Sequence, residues 1–514
     1  SIWLGNDPSG TTSTASYNVA VGTTALDSIT TADRNVAVGY NAATAVNTGI
    51  YVTAIGSNAL EASTTQHNNT AVGTYSGYAC TGAENTFIGS EAGHYATSCD
   101  KSVVIGYTAV GLGVMTGNEN TAIGQDAGMD LTSGYSNTFI GSGAGANVTT
   151  GFKNIAVGGG ALVTGTDMDY NIAIGYSALA NGGVSGNGNI GIGYLAGDQI
   201  TSGAGNVAIG YNALSHNTDG PYNVAIGQDA LAANTTGDVM VAIGQGALQS
   251  CTGYDGAVAI GYYAGQDLTQ GRETVSIGRG AAQEATSAEY FVAIGGFAMG
   301  SAITTGDNNV CIGYYAGKLL TSGNKNVIIG NETADALTTG TQCVIIGGLC
   351  EASAVGGSNQ IVMGYNAVGS ANGTITVGDG GTDSTMTLGG TTWSAPSDIR
   401  LKEDIQDEVV GLNFINELRP VTFRWKKEKD VPEDMVAYGE GSEERVMNGK
   451  YNHGFISQEV KEVIDNNPDI KEGFDMWTED DVDGRQRIGE SALIPMLVKS
   501  IQELTARIEE LEGE

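Results

Sequence analysis

The sequence contains little of three things that a conventional enzyme domain has: proline, charged side chains and aromatic rings. Of its 514 residues, 7 are Pro, 15% are charged and 7% are aromatic, whereas 79 are Gly. Glycine this abundant without proline indicates many tight turns, and it excludes a collagen helix, in which Gly occupies every third position. The composition therefore argues against an ordinary globular enzyme.

Cysteine, histidine and long apolar runs are also scarce. The 6 Cys form no Cys-x-x-Cys pair and the 4 His lie far apart, so we expect no metal site and no cofactor. No stretch has the ~18 consecutive apolar residues of a membrane span, so we expect no membrane insertion. The residues concerned are Cys80, Cys99, Cys251, Cys311, Cys343, Cys350, His67, His94, His216 and His453.

Positive charge is in short supply along the whole chain. Residues 1–397 hold 7 Lys and Arg against 27 Asp and Glu, and residues 398–514 hold 15 against 29. Both parts are therefore acidic, and a surface of this sign repels phosphate backbones. A nucleic-acid partner is unexpected.

Residues 18–380 are a repeat. An Ile-Gly or Val-Gly dipeptide, with one Met-Gly variant, recurs 22 times from Gly22 to Gly378, mostly at intervals of 17 residues. We call this glycine the strand glycine, and we expect it to take a backbone conformation that is closed to other residues. A fixed interval of this length predicts one structural unit per copy, as in a β-solenoid whose coils stack at the ~4.8 Å strand spacing.

Each position of the repeat suggests a role. The residues one and three before the strand glycine are almost all β-branched, and we expect these β-branched rows to fill the interior of the coil. The residue between them is Ala in 12 of 22 copies, and we expect this alanine row to face a second backbone. A second short strand is predicted around the Ala three residues after the strand glycine. Asn stands four before it in 13 copies, where stacked side chains could hydrogen-bond or cap turns.

The motif Asn-x-Ala-Ile-Gly-x-x-Ala, as in residues 206–213, resembles the repeat of the trimeric left-handed β-roll heads of bacterial autotransporter adhesins and of related phage tail fibres. The resemblance covers residues 18 to about 380. It implies a left-handed coil and a homotrimer. Because one thin coil buries little by itself, we expect three chains side by side to bury the alanine row around a shared axis.

Tyrosine follows the strand glycine in many copies, and two readings are open. Such a row could stack on sugar rings of a receptor, or it could cover the seam between chains with its hydroxyls in water. The second reading is favoured. These residues are Tyr40, Tyr107, Tyr176, Tyr194, Tyr211, Tyr262, Tyr314 and Tyr365.

Beyond the repeat the composition changes. Residues 1–17 are a lead-in and residues 381–396 a β-rich connector that ends in a break at Pro396. Residues 397–514 read as a separate α+β domain: a helix carrying Val409 to Leu418, a strand at 421–425, an acidic loop to Asn448, and a helix ending near residue 466. The terminal helix, residues 493–511, carries apolar residues at heptad spacing and predicts a coiled coil.

Four segments of this domain, Ser397 to Lys402, Leu418 to Lys426, Gly454 to Val460 and the terminal helix, together resemble the intramolecular chaperone domain of endosialidases, peptidase family S74. The resemblance implies that the domain trimerises, directs folding of the fibre and then cuts itself off. Ser397 would be the nucleophile, Lys402 its base, and the cut would fall at Ser397–Asp398. His453 is a further candidate, although a buried structural role is the simpler expectation.

Together these features predict a homotrimeric tail fibre or spike of a phage or virus that attaches to a host-surface receptor, with glycans as one receptor class. It would act on no substrate other than its own chain. The alternatives are a bacterial surface adhesin, a glycan depolymerase and a structural extracellular filament. The uninterrupted spacing and the lack of a carboxylate pair argue against the depolymerase.

Overall fold

The structure, a computed structural model, describes residues 1–5, 14–183, 185–253, 255–395, 397–447, 449–470, 476–479 and 484–513. It forms two compact units, Ser1–Pro396 and Ser397–Glu514, which are described in turn. The predicted break at Pro396 and the predicted end of the acidic loop at Asn448 lie outside the described residues.

The first unit is a parallel β-solenoid in which each coil contributes one short strand, and its described residues form a 24-stranded sheet. The strands are β1 (Ile2–Gly5), β2 (Val19–Gly22), β3 (Val36–Val38), β4 (Thr53–Ile55), β5 (Thr70–Val72), β6 (Thr86–Ile88), β7 (Val103–Ile105), β8 (Thr121–Ile123), β9 (Thr138–Ile140), β10 (Ile155–Val157), β11 (Ile172–Ile174), β12 (Ile190–Ile192), β13 (Val207–Ile209), β14 (Val224–Ile226), β15 (Val241–Ile243), β16 (Val258–Ile260), β17 (Val275–Ile277), β18 (Val292–Ile294), β19 (Val310–Ile312), β20 (Val327–Ile329), β21 (Val344–Gly348), β22 (Ile361–Tyr365), β23 (Thr374–Gly378) and β24 (Ser384–Thr387).

The register of the sheet reproduces the sequence repeat. Val207 pairs with Val224 and Val224 with Val241, so equivalent residues of successive coils lie side by side. The predicted fold class is confirmed: 22 repeat copies form parallel coils, and a small unit of helices and short strands follows. The ladder also extends into the segment predicted as a lead-in, because β1 pairs with β2. At the other end, β24 turns back and pairs antiparallel with β23.

The strand glycine is required by the stacking of coils. Gly210 has a φ of +133°, and a Cβ built on it would lie 2.6 Å from the carbonyl oxygen of Gly227 in the next coil. Any side chain would therefore meet both an unfavourable backbone conformation and a neighbouring backbone. The prediction that this glycine has a conformation closed to other residues is confirmed.

The prediction that the β-branched rows face the coil interior and the alanine row faces outward was wrong. The alanine row is fully buried inside each coil, as at Ala208, whereas its neighbours Val207 and Ile209 are only partly buried. The coil is narrow, and its interior is filled by small residues of the strand together with residues such as Leu214 from the following turn. The β-branched rows therefore project from the outer surface of the sheet.

The predicted second strand is absent from the described residues, where turns follow each strand. In the coil of Gly210, Asn212 and Leu214 have φ values of 52° and 53°, in the left-handed region. The segment still bonds to both neighbouring coils, because Asn212 N donates to Tyr194 O at 3.0 Å and Leu214 N to Ala230 O at 2.9 Å. This backbone buries the Ala three residues after the strand glycine without forming an extended strand.

The repeated asparagines have the structural role that the sequence suggested. Asn137 Oδ1 accepts the backbone N–H of Asn154 at 3.0 Å, and its Nδ2 donates to Gly151 O at 2.8 Å. Its own N–H donates to Asn120 Oδ1 at 3.0 Å. Each buried amide thus links adjacent coils and satisfies turn carbonyls that would otherwise be unpaired.

The described residues of the second unit form three α-helices and two small antiparallel sheets. Its elements are α1 (Leu412–Glu417), β25 (Val421–Phe423), β26 (Asn452–Gly454), α2 (Ser457–Asn466), β27 (Trp477–Glu479), β28 (Gln486–Ile488) and α3 (Ile494–Glu512). A small core around Phe414, Val460 and Met496 holds them together. The first helix is shorter than expected, since Val409 lies before it and is exposed. Pro495 lies in the first turn of α3, where its missing N–H costs no helical hydrogen bond.

Candidate functional site

Ser397 and Lys402 lie together at the start of the second unit. Lys402 Nζ is 2.8 Å from Ser397 Oγ, within hydrogen-bonding distance. A 3₁₀ turn at Ile399–Leu401 brings them together, because it reverses the chain between two residues that are five apart. The turn is closed by hydrogen bonds from Leu401 N to Asp398 O and from Lys402 N to Ile399 O. The spacing alone could not establish this contact.

Asp398, on the other side of the predicted scissile bond, caps the same turn. Its Oδ1 accepts the backbone N–H of Arg400 at 2.9 Å, and the Arg400 guanidinium contacts both carboxylate oxygens. Hydrogen bonds from the Arg400 side chain, and then from its backbone, hold the pKa of Asp398 below its usual value. The Ser397–Asp398 bond is therefore flanked by a fixed carboxylate on one side and a hydroxyl–amine pair on the other.

This arrangement supplies the two groups of a serine–lysine nucleophile. A lysine can take the hydroxyl proton only when its amine is neutral, which requires a desolvated or cationic environment. In the single chain Ser397 and Lys402 are both exposed. The neighbouring Ile399 and Leu401 are 72% and 67% exposed, so apolar surface is available to enclose the pair.

His453 does not have the buried role expected for it. It is exposed in β26 opposite Thr422, and its Nδ1 lies 3.4 Å from Thr422 Oγ1. The short β25–β26 pair, rather than a buried site, explains its position.

Two apolar surfaces of the chain are left uncovered. On α3, Met496 and Ser500 face the core, while Leu497, Ile501 and Leu504 are exposed, with Ile501 at 63%. Along the solenoid, Ile140, Ile174 and other members of the β-branched rows are 37–39% exposed. Both surfaces follow regular spacings, seven residues in the helix and one coil in the solenoid.

The tyrosines that follow the strand glycine are exposed, and several stack on one another. Tyr176, Tyr194 and Tyr211 form a column with ring centroids 5.6 and 5.3 Å apart and interplanar angles of 13° and 7°. Because each ring covers the face of its neighbour, the middle ring has little face free for a sugar. The role of this row as the cover of a seam between chains stays a prediction.

Among the residues that the structure describes, no group of three or more His, Cys, Asp and Glu side chains is placed to hold a metal ion. All six cysteines are buried free thiols. No described helix is long and apolar enough to cross a membrane.

A protein-family model matches part of the second unit. Residues 397–467 match the family model described as the chaperone of endosialidase, Peptidase_S74. The match begins at Ser397 and includes Lys402, α1 and α2, whereas α3 lies beyond it. No curated protein and no solved structure matches the chain. The solenoid followed by this domain fits a tail-fibre-like protein with an S74 chaperone domain, as the sequence predicted.

Proposed function

We propose that the protein is a homotrimeric tail fibre or spike, carried on a phage or virus particle, that attaches to a host surface. Its second unit directs trimer folding and then separates by cleavage at Ser397–Asp398. The observation that carries the cleavage proposal is the 2.8 Å contact between Ser397 Oγ and Lys402 Nζ at the first residue of the chaperone match.

The reaction is a single hydrolysis within the chain. With its amine neutral, Lys402 accepts the proton of Ser397 Oγ as this oxygen bonds to the carbonyl carbon of the Ser397–Asp398 peptide bond. The C–N bond then breaks, and the proton passes to the departing nitrogen of Asp398. Water hydrolyses the resulting Oγ–acyl ester and restores the Ser397 hydroxyl. One water molecule is consumed, leaving a carboxylate on Ser397 and an amine on Asp398. The turn in which Asp398 and Arg400 are joined keeps the bond next to the nucleophile.

Self-association is supported by the two uncovered apolar surfaces. None of the 22 copies has a charged residue in its β-branched rows, although residues 1–397 carry 27 acidic side chains. A second copy has the same one-coil period, so its rows can pack against these along their full length. The α3 residues Leu497, Ile501 and Leu504 form a heptad seam of the kind that packs into a coiled coil. The number three comes from the family resemblance.

We expect Ser397→Ala and Lys402→Ala to stop cleavage while assembly continues, because each removes one group of the pair without touching an apolar surface. Denaturing gels with and without boiling, with intact-mass measurement, would report both properties. Wild-type chains should give a product beginning at Asp398, and a boiling-sensitive trimer of the other fragment. Lys426→Ala, which removes an exposed lysine elsewhere in the unit, should cleave normally.

The outcomes separate the parts of the proposal. Full cleavage in either dyad variant would contradict the assigned chemistry. An uncleaved wild-type monomer would contradict both the chaperone and the trimer. Binding of the purified fibre to host cells, measured by pelleting, tests attachment independently of either.

A further inference from the structure

We propose that one ridge of the solenoid binds acidic sugar residues of a host-surface glycan. The ridge consists of the residues five and six positions before each strand glycine, and we call it the aromatic ridge. The inference rests on the proposed attachment function and names the chemistry of its receptor. Of the seven Lys and Arg in residues 1–397, five lie on this ridge: Arg34, Lys101, Lys153, Arg272 and Lys325.

The main site is formed by three consecutive coils. Tyr135 stacks on Phe152 with ring centroids 4.8 Å apart and an interplanar angle of 3°, and Tyr170 meets Phe152 edge to face at 5.3 Å. Lys153 Nζ lies 5.1 Å from the Tyr170 ring centroid and 3.5 Å from its hydroxyl. Tyr135, Lys153 and Tyr170 are exposed. A cation thus stands beside an accessible aromatic platform.

A second site repeats this chemistry near the start of the solenoid. Arg34 lies between two tyrosines, with its guanidinium carbon 6.0 Å from the Tyr17 ring centroid and 5.5 Å from that of Tyr51. Arg34 Nη1 also donates to Tyr51 Oη at 2.6 Å. All three residues are exposed. Seven coils separate Arg34 from Lys153, which is about 34 Å at the strand spacing.

The charges of these sites are unusual for this chain. Although acidic residues greatly outnumber basic ones, neither Arg34 nor Lys153 forms an ion pair with any carboxylate among the described residues. Lys318, which lies outside the ridge, does form an ion pair, with Asp335. Both unpaired cations rest on aromatic rings instead, where donors remain free for an incoming anion.

An acidic sugar fits this combination better than other polyanions. Exposed aromatic rings pack against the apolar faces of sugar rings, and a cation at their edge pairs with a carboxylate or phosphate. Nucleic acid needs many closely spaced cations, whereas these sites offer one each on a strongly acidic surface.

The test measures the binding of defined oligosaccharides to the assembled protein, produced from the full-length chain. The probes are oligogalacturonate, the same oligomer as its methyl ester, and a phosphorylated mannose oligosaccharide. We expect the wild type to bind an acidic probe at low salt and the uncharged ester at least tenfold more weakly. The phosphorylated probe tells whether carboxylate or phosphate is preferred.

Variants assign the binding to the ridge. Lys153→Met and Phe152→Leu should each weaken binding of the acidic probe about tenfold, the loss expected for one charge-assisted contact or one stacked ring. Lys318→Met, which removes a cation outside the ridge, should bind as the wild type. Trimer content, measured by light scattering, should be unchanged in all three.

Equal binding of the ester, unchanged binding in both ridge variants, or no binding of either acidic probe would overturn the ridge site. In that case undiminished pelleting with host cells would leave the attachment proposal intact. A wild type that binds the oligosaccharides but no host cells would contradict attachment and support the ridge.

Discussion

At the scale of single residues, the environment of Glu351 predicts that the stability of the solenoid depends on pH. Burial, followed by a hydrogen bond with the Asp335 carboxyl group, raises the pKa of Glu351 from 4.5 to about 7. Burial is the largest single effect on Asp335 and opposes its ionisation. The hydrogen bonds from Lys318 and Glu351, together with the charge of Lys318, outweigh burial, so the pKa of Asp335 is lowered. Lys318 Nζ lies 2.7 Å from Asp335 Oδ2, and the three groups belong to successive coils.

The sign of the effect follows from proton binding. Between pH 4.5 and about 7 the folded chain holds a proton on Glu351 that the unfolded chain has lost, so stability decreases as the pH rises through this range. We expect the unfolding temperature of the wild type to decrease across it. Glu351→Gln, which keeps the hydrogen-bonding shape without titrating, should flatten the profile. A profile as steep in Glu351→Gln as in the wild type would assign the dependence to other groups.

Residue roles were predictable where sterics decide them. The strand glycine and the asparagine ladder could be derived from the sequence because each position tolerates few alternatives. The residues that fill the coil interior could not be derived from the sequence. Alternation of side chains along a strand shows only that Val207 and Ala208 point to opposite faces. Which face is enclosed depends on the width of the coil. The Ser397–Lys402 contact likewise needed the turn at Ile399–Leu401.

At the scale of elements, large and small residues compensate for one another in the coil interior around Phe87. Where the alanine row contains Phe87, the residues four after the strand glycines of its own and the preceding coil are Gly93 and Gly77. A Cβ on either glycine would approach the Phe87 ring to 2.4 or 2.6 Å. Coils with Ala in the row often carry Leu at this turn position, as Leu214 shows. The large ring and the missing side chains therefore compensate.

This compensation predicts coupling between the two positions. Gly93→Ala should destabilise the fold by about 1–3 kcal/mol through overpacking, and Phe87→Ala by about 3–5 kcal/mol through a cavity. In the double variant the new methyl group occupies part of the space that the Phe87 ring vacates. The double variant should therefore lose less stability than the sum of the losses in the two single variants. Denaturant unfolding of the four chains measures this. Gly381→Ala, where a Cβ would have no atom within 4 Å, is the control, and additive losses would contradict the account.

The sequence predicted a second strand where the structure has a turn. The turn could not be predicted because the residues that take left-handed φ values in it are not glycines. Asn212 and Leu214 adopt this conformation although an isolated residue of either type disfavours it, leucine especially. Hydrogen bonds to both neighbouring coils and the burial of Leu214 stabilise it. The stacking of coils therefore decides this backbone conformation, which cannot be derived from the sequence of a single coil.

At the scale of the whole molecule, the solenoid should tolerate removal of complete coils, because each coil contacts mainly its neighbours. Deleting residues 211–295 removes five coils and joins Gly210 to Gly296, so one strand glycine is replaced by another. Val207 would then pair with Val310, the residue at its position in the next remaining coil. We expect this chain to assemble and cleave as the wild type does, with a fibre shorter by about 24 Å.

The contrast comes from a deletion that is not a whole number of coils. Removing residues 211–303 takes away eight further residues, so the first coil after the junction loses its turns and closes out of register. A shift within a coil exposes buried alanines and breaks the asparagine ladder. Because folding of the fibre and its separation from the chaperone are proposed to be linked, this chain should aggregate or remain uncleaved. Electron microscopy of fibre length, with gels for cleavage, distinguishes the two deletions. Equal behaviour of both would show that coil register does not govern assembly.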